Sequence, residues 1–352
     1  MKKINIILKD ITEQGGGERV CINLANTFSE YYNVEIFSFF KKNDILYYNL
    51  KKNIKVTYLS KLSIKNNLSK FLSKVVYRYY LSIKLHFILK YENKNSIVLL
   101  NDGFFIPLFK HAKLLYCRIW HLVAPKRKKM IFNKIDILIL LSEKELHTWG
   151  FWHKNIKIIP NFLPIIPNKI SKVDNNIVLS VGRLAQEKGF LRLIEIWKII
   201  QKNNTYNNWK LIIVGSGELK NALNEKIDKN KLNNTIILKP FTKNIYKEYL
   251  NASIYAMCSH EEGFGMALAE SASYGLPGVA FDINTGPSDI IENKKSGFLI
   301  KDGDLQDFAN KLCLLMDNKN MRKTMGLNAK EKVKNKFSKK IIIKKWQEIF
   351  NF

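Results

Sequence analysis

Two glutamates eight residues apart, Glu262 and Glu270, have the type and spacing that could do chemistry in this 352-residue chain. Glu262 falls in a loop after a short apolar run, and Glu270 falls two turns into a helix expected to begin near Phe264. A helical path between them spans about 12 Å, whereas a glycosidase needs its two carboxyl groups about 5–9.5 Å apart. The spacing therefore disfavours a hydrolytic pair. Each carboxylate could instead accept two hydrogen bonds from a vicinal diol, as in ribose or a sugar ring.

The backbone between these glutamates is also suited to binding. The amides of Phe264, Gly265 and Met266 are expected at the start of the helix. N–H groups there lack partners within the helix, and the helix dipole favours negative charge. We therefore expect these amides to receive an anion or hydroxyl groups.

A pair of cations follows the strand that opens the second half of the chain. Arg183 comes directly after that strand and its glycine, and Lys188 follows five residues later. Only seven of the 58 basic residues are arginine, so an arginine at a strand end, where ligands bind in open sheets, indicates a binding role. A guanidinium fork with a nearby ammonium suits a diphosphate. A solvated turn is the alternative that the sequence leaves open.

Two strand-end features mark the first half of the chain. Gly15, Gly16 and Gly17 stand between the first predicted strand and a helix, where backbone N–H groups could approach a ligand. They do not form the dinucleotide pattern G-x-G-x-x-G, and a flexible turn would also explain them. His121 follows another strand of this half, and a lone histidine can equally be structural.

The elements that must position these residues alternate along the whole chain. Short apolar runs alternate with helical stretches, which predicts an α/β protein with parallel sheets. Three prolines within 160–167 predict a linker. We expect two doubly wound, Rossmann-like domains at 1–163 and 164–335 that face each other across a cleft, and a last helix at 336–352 that could cross back to the first domain. Strands are predicted at 3–8, 34–39, 54–59, 97–100, 113–118, 135–141, 156–159, 177–181, 210–214, 235–238, 254–257, 278–281 and 297–300.

Composition narrows the class of protein. The net charge is +28, from 58 basic and 30 acidic residues. Because the excess is lysine rather than arginine, it argues against a nucleic-acid partner, although it still attracts the protein to polyanions. No apolar run reaches the roughly 18–20 residues of a membrane span, and the N-terminus is expected to be a strand rather than a signal peptide. The four cysteines are too far apart for a zinc pair or a disulfide framework.

One basic stretch predicts contact with an anionic membrane surface. Residues 51–94 contain eleven cations and one acid, and 126–129 add a second basic cluster. Aromatic residues flank the cations, as expected at a lipid interface. An apolar stripe on a core-facing helix is the alternative. The apolar residues at helical spacing are Leu68, Phe71, Leu72, Val75, Val76, Tyr79, Tyr80, Ile83 and Phe87.

Three motifs in register resemble glycosyltransferase family 4. The first is the Glu262 to Glu270 element, with Gly-Phe-Gly inside it and Tyr-Gly-Leu-Pro after it. The others are Gly-Arg183 followed by Lys188-Gly, and the Gly-Gly-Gly-Glu-Arg loop at 15–19. The resemblance covers essentially the whole chain. It implies the GT-B fold and transfer of a sugar from a nucleotide diphosphate sugar with retention of the anomeric configuration, without a metal or other cofactor.

The resemblance also implies a role for each matching residue. Glu270 would hold the ribose diol and Glu262 the hydroxyls of the donor sugar, while Arg183 and Lys188 would hold the diphosphate. The amides of Phe264, Gly265 and Met266 would contact sugar and phosphate. Gly16 and Gly17 would close over the donor, Phe241 would stack on the base, and His121 would stand in place of the active-site histidine of the family.

The resemblance, together with these residues, implies a retaining hexosyltransferase. The donor is expected to be a UDP-hexose or UDP-N-acetylhexosamine, and the acceptor a lipid-linked or polysaccharide glycan. The pathway would be that of O-antigen, capsule or lipopolysaccharide, at the inner face of a bacterial cell membrane. A sugar-nucleotide epimerase of the same fold and a non-catalytic sugar-nucleotide-binding subunit are the alternatives.

Overall fold

A computed structural model describes residues 2–60, 70–121 and 130–351. The chain divides into two compact units: Met1–Ile159 together with Ile343–Phe352, and Pro160–Ile342. The chain passes from the first unit to the second between Ile159 and Pro160, at the start of the proline-rich segment, whereas the predicted domain boundary lies at 163/164. The end of the chain, from Ile343 onward, clusters with the first unit.

The first unit is built on a seven-stranded parallel sheet in the order β3-β2-β1-β4-β5-β6-β7. Its central strands are buried on both faces, as parallel sheets require. The strand order reverses between β1 and β4, which is where ligands bind in open α/β sheets. The elements are β1 Lys3–Asp10, α1 Gly16–Phe28, β2 Asn33–Phe40, β3 Lys55–Tyr58, α2 Lys70–Leu89, β4 Ile97–Leu100, β5 Leu115–Trp120, β6 Ile137–Leu140, α3 Leu146–Gly150 and β7 Ile156–Ile158.

The second unit has a six-stranded parallel sheet in the order β10-β9-β8-β11-β12-β13. Here the order reverses between β8 and β11. The elements are β8 Ile177–Val181, α4 Phe190–Gln201, β9 Lys210–Val214, α5 Lys220–Lys229, β10 Ile236–Lys239, α6 Tyr246–Asn251, β11 Ile254–Met257, α7 Met266–Ser273, β12 Gly278–Asp282, α8 Pro287–Ile290, β13 Gly297–Lys301, α9 Leu305–Asp317, α10 Lys319–Phe337 and α11 Lys339–Phe350.

The predicted fold class of parallel α/β sheets is confirmed, and each predicted strand is present. The largest shift is at β5, which begins at Leu115 and extends to Trp120 rather than spanning 113–118. Lys113 is exposed, whereas Trp120 packs against Phe132 and Trp149. Burial of this aromatic cluster accounts for the later strand. None of the described helices is long and apolar enough to cross a bilayer.

The last turns of α11 are packed by aromatic contacts within the first unit. Phe28 of α1 contacts Trp346 at 5.6 Å and Phe350 at 5.3 Å between ring centroids, both edge to face. Such pairs contribute about 0.5–1.5 kcal/mol each beyond the area they bury. The aromatic residues of α11 therefore stabilise the first unit.

Candidate active site

Helix α7 starts two residues later than predicted. It begins at Met266, and Gly265 precedes it in the left-handed region with φ of 88°. A side chain at that φ would strain the backbone, which explains the glycine. The ring of Phe264 is buried against Phe337, 5.0 Å between centroids. Of the three predicted amides, only that of Met266 belongs to the helix, because the αL turn at Gly265 breaks the helical path.

Glu262 is brought together with Lys188 at neighbouring strand ends. Lys188 Nζ lies 2.7 Å from Glu262 Oε1, and Ser259 Oγ donates to the same oxygen at 2.7 Å. The contact arises because β8 and β11 pair directly in the sheet. Both side chains are partly buried, so solvent screens this ion pair less than a surface one. Ser259 was not identified from the sequence as a site residue.

Glycine at position 189 allows this contact. Gly189 has φ of 66°, and a Cβ atom there would lie 1.8 Å from the carbonyl oxygen of Cys258. The backbone after Lys188 thus lies directly against the end of β11. The Lys-Gly pair of the motif therefore has a steric reason as well as an electrostatic one.

Glu270 lies on α7 and is 8% exposed. Tyr249 donates its hydroxyl to Glu270 Oε2 at 3.1 Å and stacks on Tyr274. Burial raises the pKa of Tyr255, and the nearby charges of Glu262 and Glu270 raise it further. Both glutamates thus act on one tyrosine. Neither Tyr249 nor Tyr255 was found from the sequence, since the sequence does not distinguish a buried aromatic residue beside a site from one in the core.

Arg183 and Phe241 are more open to solvent. The Arg183 side chain is 66% exposed and forms an ion pair with Glu187 four residues later. Phe241 is exposed, and its backbone N–H donates to Ser216 Oγ at 3.3 Å. Both stand at strand ends of the second sheet, after β8 and β10. Their exposure leaves them accessible to a ligand.

In the first unit, Asn101 connects two predicted features. Its side-chain amide donates to the carbonyl oxygen of Gly17 at 3.1 Å, and its Oδ1 lies 3.3 Å from His121 Nε2. Burial lowers the pKa of His121 to about 4, and the charge of Arg118 lowers it too, while the bond to Asn101 opposes this. His121 is therefore neutral at pH 7. Gly16 and Gly17 lie in the first turn of α1 rather than in the predicted loop, and a Cβ atom at Gly16 would meet no atom within 4 Å.

This chain is similar to known glycosyltransferases in sequence and in fold. Residues 164–332 match the family model for glycosyl transferases group 1. The amylovoran biosynthesis glycosyltransferase AmsD of Erwinia amylovora is 28% identical over 100% of both chains. The GalNAc-alpha-(1->4)-GalNAc-alpha-(1->3)-diNAcBac-PP-undecaprenol alpha-1,4-N-acetyl-D-galactosaminyltransferase of Campylobacter jejuni is 25% identical over 95% of this chain and 94% of its own.

A solved structure agrees in fold over the full length. It is that of a point mutant of TarM from S. aureus in complex with fondaparinux, alpha-GlcNAc-glycerol and UDP, with a TM-score of 0.82, 18% identity and 100% coverage of both chains. The chain is a glycosyltransferase with the GT-B fold.

Sequence reasoning recovered most strand-end residues of this glycosyltransferase but not their partners. Glu262 and Lys188 meet directly, and Gly17 and His121 meet through Asn101. Asn101 could have been found as the polar residue that follows β4, the strand beside β1. The signal is weak because an asparagine before Asp-Gly is also typical of a turn.

Proposed function

We propose that this glycosyltransferase is a retaining enzyme of family 4 that uses a UDP-hexose or UDP-N-acetylhexosamine and acts on a lipid-linked glycan. The observation that carries the proposal is the contact of Lys188 with Glu262 at adjacent strand ends, with Arg183 and Glu270 on the flanking elements. The name of the Campylobacter relative, which specifies an undecaprenol-linked acceptor, supports a lipid-linked one here. The name of AmsD supports a surface polysaccharide as the product, and UDP in the TarM complex supports UDP as the leaving group.

The proposed chemistry is mainly electrostatic. Arg183 and Lys188 stabilise the negative charge that develops on the leaving diphosphate, helped by the amide of Met266 at the start of α7. Glu262 orients the sugar hydroxyls, and Glu270 holds the ribose diol. His121, neutral at pH 7, hydrogen-bonds to the donor sugar without adding charge. Phe241 stacks on the base, and Gly16 and Gly17 let the backbone approach the donor.

A panel of nucleotide sugars tests the proposal. Purified protein is offered UDP-, GDP- and ADP-linked sugars with and without an undecaprenyl diphosphate glycan, and the products and their anomeric configuration are determined. We expect transfer from a UDP-sugar with retention. Epimerisation of a nucleotide sugar without an acceptor would identify an epimerase instead, and binding without turnover would identify a sugar-nucleotide-binding subunit.

Transfer should continue in excess EDTA. The cations Arg183 and Lys188 supply the positive charge that a divalent metal would otherwise provide. The Asp-x-Asp sequence at 302–304 has other contacts: Asp302 pairs with Arg192 at 2.7 Å, and Asp304 caps α9. Initial rates are compared in EDTA, Mg²⁺ and Mn²⁺. Complete loss in EDTA with recovery in either metal would contradict this prediction.

We further propose that helix α2 binds an anionic membrane surface at the inner face of the cell membrane. The side of α2 formed by Leu81, Leu85 and Leu89 is buried in the core. The opposite side has apolar residues at three- and four-residue spacing that are 40–63% exposed, a pattern typical of interfacial helices. These exposed residues are Val76, Tyr80, Ile83 and Phe87.

The described cations refine the predicted basic surface. Lys84 and Lys90 are exposed on and after α2, and Lys84 also donates to the carbonyl oxygen of Leu59 at 2.9 Å. Arg78 is only partly exposed and donates to the backbone carbonyls of Gly103 and Phe104. Arg78 is therefore a structural residue rather than a surface cation available to lipid. Residues 61–69 and the cluster 126–129 lie outside the described residues.

Liposome sedimentation tests this membrane proposal. We expect the protein to sediment with anionic vesicles at low salt and to be released as salt rises, since each cation near an anionic leaflet contributes about 1 kcal/mol and salt screens it. Replacing Val76, Tyr80 and Phe87 by Asn should abolish sedimentation while donor hydrolysis persists.

A matched variant controls for the loss of apolar surface. Asn at Ile45, Phe151 and Ile165, which are at least as exposed and lie elsewhere in the chain, should leave sedimentation unchanged. Equal binding to neutral and anionic vesicles, or binding to neither, would refute the membrane proposal.

A further inference from the structure

The side chain of Arg118 is buried and has no hydrogen-bond partner among the residues that the structure describes. This residue of β5 is 6% exposed, and its Nε atom is buried and makes no hydrogen bond. Across the described residues, the Arg118 guanidinium has no hydrogen bond and no ion pair within 4 Å. Burial lowers the pKa of Arg118 to about 10, with the charge of Asp102 opposing the shift.

Another buried arginine of this chain donates hydrogen bonds to backbone carbonyls. Arg322 donates to the carbonyl oxygens of Val173, Leu315 and Met316 at 2.6–2.9 Å. A buried guanidinium that only supports the fold thus finds carbonyl acceptors in this protein. Arg118 departs from that pattern, and a buried charge without hydrogen bonds is costly to folding.

The described groups around Arg118 contact its guanidinium but accept no hydrogen bond from it. The guanidinium lies 4.7 Å from the ring centroid of Trp120 and 5.5 Å from that of Phe132. A Cβ atom at Gly103 would be 2.8 Å from Arg118 Nη2, so the side chain reaches the turn after β4. The carboxylate of Asp102 in that turn accepts instead from the backbone N–H groups of Lys9 and Phe104.

Arg118 also stands near the candidate active site of the first unit. Its charge acts on His121, three residues further along the chain, and the neighbouring turn begins at Asn101. The carbonyls of that turn at Gly103 and Phe104 accept from Arg78. Each of these carbonyl oxygens therefore already accepts one hydrogen bond from Arg78, and none from Arg118 is among the contacts of the described residues.

We propose that Arg118 binds a phosphate group of the acceptor substrate. A guanidinium fork matches phosphate geometry, and a guanidinium with no ion pair among the described residues has its donors available to an anion. The inference rests on the proposed function, because the donor diphosphate is assigned there to Arg183 and Lys188 of the other unit. Arg118 thus makes the first unit selective for acceptors in which a phosphate lies near the sugar that is extended.

Binding of simple prenyl phosphates tests the proposal. Farnesyl diphosphate and farnesol are titrated calorimetrically into the protein with UDP in saturating excess, which occupies the phosphate site of the donor. Wild-type protein should bind the diphosphate at least about tenfold more tightly than the alcohol. In Arg118→Met the ratio of the two affinities should fall to near one. The four affinities form a double-mutant cycle that measures the coupling between the Arg118 side chain and the phosphate. The exposed control Lys113→Met should keep the wild-type ratio.

Two further arms identify the source of the phosphate. A glycerophosphate oligomer tests whether the site binds the phosphodiester of a polymer, and inorganic pyrophosphate tests whether it binds a free anion. Arg118-dependent binding of farnesyl diphosphate or of the oligomer supports the proposal. Binding of pyrophosphate alone, or an unchanged ratio in Arg118→Met, would overturn it.

Thermal unfolding separates this binding role from a structural one. Removing a buried charge that lacks hydrogen bonds should leave the Tm of ligand-free Arg118→Met unchanged or raise it by a few degrees. A Tm lowered by more than about 5 °C would assign Arg118 to the fold and overturn the proposal. UDP titration of the same proteins tests the proposed function separately. If wild-type protein does not bind UDP, the proposed function is refuted. If UDP binds but the affinity ratio of farnesyl diphosphate to farnesol is the same in Arg118→Met as in wild type, only the phosphate site is refuted.

Discussion

Replacing Glu270 by Ala should lower kcat/KM for the UDP-sugar by at least about a hundredfold. The carboxylate is nearly buried, and Tyr249 donates to one of its oxygens, so the carboxylate is held in one orientation. Charge-assisted bonds in such a closed site are among the strongest contributions to binding and catalysis. The measurement is the initial rate of transfer over a range of donor concentrations.

Two variants control for this result. Glu261→Ala removes an exposed carboxylate nine residues before Glu270 and should leave the rate near that of wild type. Tyr249→Phe keeps the charge of Glu270 but loses the bond that orients it, and should have a smaller effect than Glu270→Ala. Near-wild-type kcat/KM in Glu270→Ala would remove Glu270 from the donor site.

Replacing Arg183 by Ala should cause a loss of similar size, at least about a hundredfold in kcat/KM. The side chain is mostly exposed and pairs with Glu187 in the turn that follows it, so it can reorient to an incoming diphosphate without disturbing the core. Because the leaving diphosphate gains charge in the transition state, kcat should fall as well as the affinity for the donor. Steady-state kinetics and UDP titration report the two effects separately.

Conservative changes sharpen the test of Arg183. Arg183→Lys keeps the charge but loses the fork, and should recover part of the activity. Glu187→Gln removes the anion that competes with the diphosphate, and should keep activity or lower KM. Equal activity of Arg183→Ala and wild type would assign this arginine to the solvated turn instead.

The amino-acid sequence by itself determined the secondary structure and the strand-end position of the site residues. Runs rich in Ile, Val and Leu, separated by helical segments, predicted each strand of both sheets, because parallel strands are buried on both faces. Arg183, Lys188 and Glu262 were placed after strands for the same reason. The start of α7 was displaced by two residues, since periodicity does not reveal the αL turn at Gly265.

Only the tertiary structure decided which of these residues meet. Lys188 contacts Glu262, and Asn101 contacts Gly17, because β8 lies beside β11 and β1 beside β4. These pairings join residues 74 and 84 positions apart.

The same holds for residues whose surroundings set their role. The pattern of α2 is apolar on two sides, and only packing shows that Leu85 is buried while Phe87 is exposed. By its sequence Arg118 is an ordinary strand residue, and only the structure shows that none of its described neighbours accepts a hydrogen bond from it. Local pattern specifies which face of an element is apolar, whereas strand order and packing specify what that face and each charge will meet.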